Sequence, residues 1–110
     1  MAGGTPLRGR VYGVRMAHIA DGAEKYYLVV SNNRRNQALP QVLAARLTTS
    51  AKPALPSIVE LGDGEVVKGR VCCDDIETIW LDEIARDLGA LSAGAMARID
   101  DGLRAALALN

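Results

Sequence analysis

The sequence has few of the residues on which metal and cofactor chemistry usually depends. Among 110 residues there are no phenylalanines, one histidine and two cysteines. His18 alone cannot build a histidine-rich metal site, and Cys72 and Cys73 are neighbours that would point to opposite faces of a strand. This disfavours a disulfide and a thiolate metal site, and it predicts one core thiol beside one exposed or half-buried thiol. We expect no metal and no cofactor.

The chain also lacks long apolar runs. The longest, residues 26–30 and 105–109, have five residues each, whereas a membrane-spanning helix needs about 20. The first ten residues do not contain the apolar stretch of a secretory signal. These absences predict a protein without membrane contact that stays in the cytoplasm.

Motifs that bind nucleotides or activate a serine are missing as well. Neither G-x-x-x-x-G-K-[ST] nor G-x-G-x-x-G nor G-x-S-x-G occurs. The groups that remain for catalysis are lysine, arginine, hydroxyls and carboxylates. They suit the cleavage of RNA by its own 2′-hydroxyl, because the substrate then carries the nucleophile. The protein needs only to position the phosphate, neutralise its charge and move protons.

The formal charge is zero overall but is unevenly distributed along the chain. Residues 1–55 carry eight Lys or Arg side chains against two acidic ones, a net charge of +6. Residues 56–110 carry five basic and eleven acidic side chains, a net charge of −6. The first half is therefore suited to a polyanion such as a nucleic acid. Alternatively, the fold mixes the halves and cancels their fields, and charge alone does not decide between these interpretations.

Short β-branched segments separated by turn residues predict a mainly β domain. Strands are expected at residues 8–16, 25–31, 41–49, 57–61 and 65–73. The second is apolar on both faces, which predicts a central position in the sheet. Connections are expected at residues 17–24, 32–36, 52–56 and 62–64. The prolines within residues 52–56 exclude a helix or a central strand there.

The C-terminal segment changes to a helical pattern. Ser92 is an N-cap candidate, and the apolar residues Met96, Ile99, Leu103 and Leu107 follow at spacings of three, four and four. We predict a small, largely antiparallel β-barrel closed by a C-terminal helix. This single domain is expected over residues 8–110, after a flexible tail at residues 1–7.

Four short segments carry a resemblance to a known family. They read R-G-R-V-Y at residues 8–12, Y-L-V-V-S-N-N at 27–33, A-R-L-T-T at 45–49 and D-D-I-E-T-I at 74–79. In this order they resemble the MazF/PemK toxins, which cleave messenger RNA and belong to bacterial toxin–antitoxin pairs. The resemblance implies an SH3-like small β-barrel of the MazF/PemK/CcdB toxin type and a homodimer. It also implies sequence-specific, metal-independent cleavage of single-stranded RNA, leaving 2′,3′-cyclic phosphate and 5′-hydroxyl ends.

The resemblance further implies three catalytic residues. Lys25 takes the position at the start of the second strand where the family carries an arginine before a proline, and here Tyr26 follows it. Thr48, at the end of the third strand, takes the position of a threonine whose hydroxyl helps to hold the scissile phosphate. Asp74 opens the block that reads D-Q-I-R-T-I in the family, and it is a candidate for base contact or proton transfer.

Other residues are candidates for binding the RNA. Near Asp74 the chain departs from the family at Cys72, Asp75 and Glu77, where relatives carry arginine or glutamine. Of the three tyrosines we expect at least one in the core, and the others are candidates for stacking on bases. The candidates for contacts with the RNA are His18, Arg15, Arg34, Arg46, Thr49 and Tyr26.

The resemblance also implies a protein partner and leaves two other functions open. The partner is a cognate antitoxin whose disordered, acidic C-terminal tail covers the RNA groove, which would complement the basic half of the chain. One alternative is a non-catalytic toxin that poisons DNA gyrase, as in the CcdB family. Those proteins end in Trp-Gly-Ile, whereas this chain ends in Ala108, Leu109 and Asn110. The other alternative is a barrel that binds RNA without cutting it.

Overall fold

The computed structural model describes residues 4–18 and 22–110, and within them it contains one six-stranded sheet and two α-helices. The strands are β1 (Arg10–Val14), β2 (Lys25–Val29), β3 (Gln41–Thr48), β4 (Ile58–Glu60), β5 (Arg70–Trp80) and β6 (Ile84–Ala90). The helices are α1 (Asn33–Ala38) and α2 (Ala93–Leu107). The sheet has the order β4-β5-β3-β2-β1-β6, and all neighbours are antiparallel. The predicted mainly β fold with a C-terminal helix is confirmed.

The sheet coils so that its two ends approach each other. Near the end of β6, a Cβ atom on Gly89 would lie 3.0 Å from the Cγ1 atom of Val66, in the connection between β4 and β5. In the same connection, the Glu65 carboxylate accepts hydrogen bonds from the backbone N–H and the hydroxyl of Ser92, at 2.9 and 2.7 Å. Because β4 and β6 do not pair, the sheet has a barrel-like shape without being closed.

Apolar side chains pack on both faces of the sheet. The cluster between the sheet and α2 includes Val11, Leu28, Val71 and Ile99. The cluster on the other face includes Tyr12, Val29, Val42 and Ile79. A strand between two apolar layers is apolar at successive positions, which explains the sequence of β2. Its predicted central position is confirmed, since β2 lies between β1 and β3.

Helix α2 begins as predicted, where the Ser92 side chain accepts a hydrogen bond from the backbone N–H of Ala95 at 3.1 Å. Ile99 is buried, and Met96 and Leu103 are partly buried against the sheet. Leu107 is 55% exposed and lies outside the core of this chain. Among the described residues, no helix is long and apolar enough to cross a membrane.

Both cysteines are buried, which corrects the prediction of one exposed or half-buried thiol. A Cβ atom on Gly102 would lie 2.8 Å from the Cys73 sulfur, so the bare glycine lets α2 lie directly against β5. Burial raises the pKa of the Cys73 thiol to about 11. Cys72 lies on the other face, is 5% exposed and lines a cavity together with Lys52, Pro53 and Leu55.

Three elements differ from the sequence prediction. Residues 33–38 form α1 instead of an irregular connection, because the Asn32 side chain caps the helix by accepting a hydrogen bond from Arg35 N–H at 2.8 Å. β5 begins at Arg70 instead of residue 65, because the chain turns through Gly69 at a φ of 117°. The sequence pattern did not predict β6. Part of the expected connection at residues 17–24, namely 19–21, lies outside the described residues.

Of the predicted tail at residues 1–7, only residues 4–7 belong to the described part of the chain. Pro6 is buried, and the backbone N–H of Leu7 donates a hydrogen bond to Tyr12 Oη at 2.9 Å. Next to it, Arg8 forms an ion pair with Asp100 of α2 at 2.7 Å. The division of the chain into a tail and a domain at residue 8 stays a prediction.

Candidate active site

The adjacent ends of β2 and β3 form one side of an open cavity of about 290 Å³. The register pairs Tyr27 with Arg46, and continuing it by two residues brings Lys25 opposite Thr48. Directly opposed side chains lie on the same face of a sheet. We call this space the cationic cavity; it is lined by Glu24, Lys25, Tyr26, Arg46, Leu47, Thr48, Thr49, Ser50 and Lys68. The predicted residues that meet here are Lys25, Tyr26, Arg46, Thr48 and Thr49.

Three cationic side chains line this cavity. Lys25 and Arg46 are half-buried, and Lys68 is exposed. Among the described residues none of the three takes part in an ion pair. Cations without a carboxylate partner create a positive potential, and arginine and lysine are the usual ligands of phosphate oxygens. The cavity is therefore suited to an anion such as a phosphodiester.

The hydroxyl of Thr48 has a defined orientation. Its oxygen accepts a hydrogen bond from the backbone N–H of Ser50 at 3.1 Å. A hydroxyl that accepts in this way keeps its own proton available for donation. Thr48 can therefore donate a hydrogen bond to an oxygen atom of a ligand in the cavity.

Lys68 is a cavity residue that the sequence did not identify. It reaches the end of β3 because Gly69 packs against that strand, and a Cβ atom on Gly69 would lie 2.5 Å from the carbonyl oxygen of Thr48. The sequence predicted that Lys68 lies within a strand over residues 65–73. In the structure Lys68 lies in a turn, and the turn brings it to the cavity. The only sequence feature that could have indicated this turn is the glycine that directly follows Lys68.

Among the residues that the structure describes, Glu24 is the only acidic one in the lining of the cationic cavity, and the sequence did not identify it either. Its side chain is 17% exposed and accepts a hydrogen bond from Arg86 Nε at 2.6 Å. Arg15 lies on its other side, with its Nη2 atom 3.8 Å from Glu24 Oε2. Glu24 is thus a carboxylate held in place at the cavity wall, able to accept a proton or a hydrogen bond.

Tyr27 lies beside Arg46 but does not act as a surface for stacking. It is 2% exposed, as is Tyr12, so two of the three tyrosines are in the core and Tyr26 is the half-buried one. The Tyr27 hydroxyl donates a hydrogen bond to Glu77 at 2.6 Å. Burial, followed by this bond, raises the pKa of Tyr27 well above its usual value, so its hydroxyl stays protonated.

Asp74 lines a neighbouring cavity of about 340 Å³ instead of the cationic cavity. β3 pairs Ala45 with Ile76 but Arg46 with Cys72, so residues 73–75 of β5 have no partner on β3. Extra residues on one strand form a bulge and redirect their side chains. We call the second space the acidic cavity; it is lined by Lys52, Pro53, Leu55, Ile58, Cys72, Asp74 and Asp75. The structure does not bring Asp74 into one cavity with Lys25 and Thr48.

The remaining predicted RNA contacts lie elsewhere. Arg34 is exposed on α1, which connects the far ends of β2 and β3. Arg15 lines a third cavity of about 600 Å³ together with Trp80. His18 is exposed in a turn next to residues 19–21, which lie outside the described part. Within the described ranges, no group of three or more His, Cys, Asp or Glu side chains is placed to hold a metal ion.

Known proteins are similar to this chain in sequence and in fold. A sequence model of the family described as PemK-like, MazF-like toxin of type II toxin-antitoxin system matches residues 7–107. The chain is 38% identical over 104 residues to Endoribonuclease MazF4 of Mycobacterium tuberculosis, covering 94% of both chains. Endoribonuclease MazF1 of Mycobacterium bovis gives the same identity and coverage.

Solved structures of toxins are also similar to this chain. An endoribonuclease in complex with its cognate antitoxin, from a mycobacterial species, has a TM-score of 0.86 and 37% sequence identity. The match covers 96% of this chain and 97% of that one. The MazE-MazF structure (Form-II) from Deinococcus radiodurans has a TM-score of 0.81 at 23% identity, over 98% and 100% of the two chains. At that identity the likeness concerns the fold alone.

Proposed function

Since the chain belongs to the PemK-like, MazF-like toxin family of type II toxin–antitoxin systems, we propose that its cationic cavity cuts single-stranded RNA by transesterification without a metal. The chain is an endoribonuclease toxin. The observation that supports this chemistry is the meeting of an oriented hydroxyl, one carboxylate and three cations that form no ion pair with the described residues, all in a single cavity. These groups cover the charge and proton requirements of the reaction.

The reaction transfers a phosphoryl group from one oxygen atom of the RNA to another. The 2′-oxygen of the nucleotide before the cut attacks the adjacent phosphorus, and the bond from phosphorus to the 5′-oxygen of the next nucleotide breaks. The products are a 2′,3′-cyclic phosphate and a 5′-hydroxyl. The 2′-hydroxyl loses one proton and the leaving 5′-oxygen gains one, so the protein needs only a proton acceptor and a proton donor.

Lys25, Arg46 and Thr48 stabilise the charge on the phosphate as the bond to the 2′-oxygen forms. Donors fixed before the reaction act most strongly where negative charge develops, and the backbone N–H of Ser50 fixes the Thr48 hydroxyl in this way. Lys25 also supplies an ammonium proton for the leaving 5′-oxygen. Lys68 and Thr49, at the rim of the cavity, bind the phosphate of a flanking nucleotide.

Glu24 accepts the proton of the 2′-hydroxyl. It is the carboxylate in the lining of the cationic cavity, and it lies next to Lys25 along the chain. A general base must lie within hydrogen-bond reach of the proton that it removes. Asp74 lines the neighbouring cavity, so we assign it to contact with a base, with Tyr26 as the stacking surface. Arg15, Arg34 and His18 are assigned to flanking RNA.

Replacing Asp74 with asparagine is expected to change which bases flank the cut more than it changes the cutting rate. A carboxylate only accepts hydrogen bonds and therefore favours bases with amino or imino donors, whereas an amide can also donate. Base frequencies around mapped cuts measure the preference. Asp101→Asn, an exposed change on α2, is the matched control. Unchanged frequencies with a loss of rate of about 100-fold or more would assign Asp74 to proton transfer instead.

Two partners complete the proposal. We infer a homodimer, and a cognate antitoxin whose acidic tail binds in the cationic cavity and blocks it. The charge of the cavity supports the second inference, since three of its side chains are cationic and the one carboxylate is already paired with Arg86. Because messenger RNA is the proposed substrate, we place the toxin in the cytoplasm of a bacterium.

The proposal predicts that the purified chain cuts a long mixed-sequence RNA at discrete positions in the presence of EDTA. The new 5′ ends should carry hydroxyls, because the 2′-oxygen and not water attacks the phosphorus. Labelling by a polynucleotide kinase, with and without prior phosphatase treatment, measures this end chemistry.

The control is an oligonucleotide that contains the mapped site with a single 2′-deoxy nucleotide before the cut. We expect it to resist cleavage completely. If it is cut, or if the new ends carry 5′-phosphates, water is the nucleophile and the proposed chemistry is wrong. If no RNA is cut, the binding-only or gyrase-poisoning alternative gains support.

A further inference from the structure

Arg86 of β6 contacts two residues of the cationic cavity without lining the cavity itself. Its Nε atom donates a hydrogen bond to Glu24 Oε1 at 2.6 Å, and its Nη2 atom donates one to Tyr26 Oη at 3.0 Å. The guanidinium carbon lies 5.9 Å from the centre of the Tyr26 ring, within cation–π range. One arginine therefore holds the two side chains that flank Lys25 in the sequence.

Gly13 makes this arrangement possible. In the register of the sheet it lies between Tyr26 on β2 and Arg86 on β6. A Cβ atom on Gly13 would overlap Glu24 Oε1. Because the glycine has no side chain, the Glu24 carboxylate can lie over β1, between its two neighbours. The space over Gly13 thus accommodates the carboxylate of Glu24, a residue of the preceding loop.

The contacts leave the two oxygen atoms of Glu24 in different environments. Oε1 accepts the short bond from Arg86, whereas Oε2 accepts no hydrogen bond from the described residues and lies 3.8 Å from Arg15 Nη2, beyond hydrogen-bond range. Oε2 therefore has the capacity to accept a further hydrogen bond. A carboxylate on a loop without such a support would sample many orientations, and misplacement by about 1 Å can cost 100-fold in rate.

We propose that Arg86 is a positioning residue for the cleavage reaction: it fixes Glu24 so that Oε2 faces the 2′-hydroxyl. The inference rests on the proposed function, in which Glu24 accepts the proton. Arg86 does not touch the RNA in this scheme and acts only through Glu24, with Tyr26 holding the other end of the guanidinium.

The test is a double-mutant cycle on steady-state cleavage of an oligonucleotide that contains the mapped site. Arg86→Met is expected to lower kcat by up to about 100-fold and to leave KM nearly unchanged, because Arg86 does not line the cavity. In the Glu24→Gln background the same change should have almost no further effect, since the group that Arg86 positions no longer accepts a proton. Arg86→Lys, which keeps the charge and one donor, should restore part of the rate.

Two further variants separate positioning from folding. Tyr26→Phe removes only the hydroxyl that accepts from Arg86 Nη2, and it should lower kcat in the same direction by a smaller factor. Arg104→Met removes an exposed arginine that is paired with Asp101 on α2 at 2.9 Å, and it should change nothing. Thermal unfolding of each variant shows whether it is folded under the assay conditions.

Several results would overturn the inference. Equal losses from Arg86→Met in the wild-type and Glu24→Gln backgrounds would mean that Arg86 acts independently of Glu24. A loss confined to KM would mean that Arg86 binds RNA directly. If Lys25→Ala abolishes cutting while Glu24→Gln does not lower it, Arg86 has no positioning role. The proposal that the cationic cavity cuts RNA would still stand. If the wild-type chain does not cut RNA, the proposed function itself fails.

Discussion

Lys25→Ala is expected to lower kcat for RNA cleavage by about 100- to 1,000-fold, the loss usually seen when one fixed donor to a developing oxyanion is removed. The alanine variant would retain Arg46 and Lys68 in the cavity, so binding of the RNA should weaken less than the chemical step. Lys25 has no carboxylate partner among the described residues, so its removal leaves no charge unpaired. Single-turnover rates over a range of RNA concentrations separate the two effects.

The matched control for this loss is Arg104→Ala, which removes one positive charge from the exposed face of α2. Lys25→Arg is expected to keep the binding of the phosphate but to lose part of the cutting rate, because the guanidinium retains the charge and can grip two phosphate oxygens but donates a proton less readily than an ammonium. A Lys25→Ala protein that cuts at the wild-type rate would show that the lysine is a solvated residue at the start of a strand. Arg46 would then be the first cation to replace.

Gly69→Ala is expected to damage both stability and cutting. The backbone at Gly69 has a φ of 117°, which side chains rarely tolerate, and the new Cβ atom would lie 2.5 Å from a carbonyl oxygen of β3. Strained backbone of this kind costs about 1–3 kcal/mol in the free energy of unfolding. Relief of the clash would move the end of β3, which carries Thr48, and would move Lys68 away from the cavity. Urea unfolding and cleavage rates measure the two effects.

Gly62→Ala is the natural control, because a Cβ atom on Gly62 would meet nothing within 4 Å. It should fold and cut as the wild type does. If Gly69→Ala is as stable and as active as Gly62→Ala, the close approach of residue 69 to β3 does not position the cavity.

The sequence was most informative where one strand lies between two others. The apolar pattern of β2 requires neighbours on both sides, and an antiparallel β3 then brings its end beside the start of β2. Lys25, Arg46 and Thr48 meet as a direct consequence of that pairing. The N-cap at Ser92 was equally predictable, since a hydroxyl before an apolar helical stripe has few other roles.

Features that depend on tertiary contact could not be predicted. β6 carries arginine, aspartate and glycine, and its burial pattern is mostly exposed, so it has no alternating signal. Its strand conformation comes from pairing with β1. Glu24 reaches the cavity wall only because Gly13 leaves room for it. Asp74 was predicted to join Lys25, and only the irregular pairing of β5 with β3 reveals that it faces another cavity.

Residues 73–75 of β5, which have no partner on β3, affect how this toxin can diverge from its relatives. They place Asp74 and Asp75 in the lining of the acidic cavity, beside β4, whereas Lys25, Arg46 and Thr48 line the cationic cavity at the ends of β2 and β3. Under the proposed function, substitutions on the acidic side would change the shape and polarity offered to a nucleobase while Lys25 and Thr48 keep their register at the strand ends. The recognised RNA sequence could then differ between relatives that share the same cutting residues.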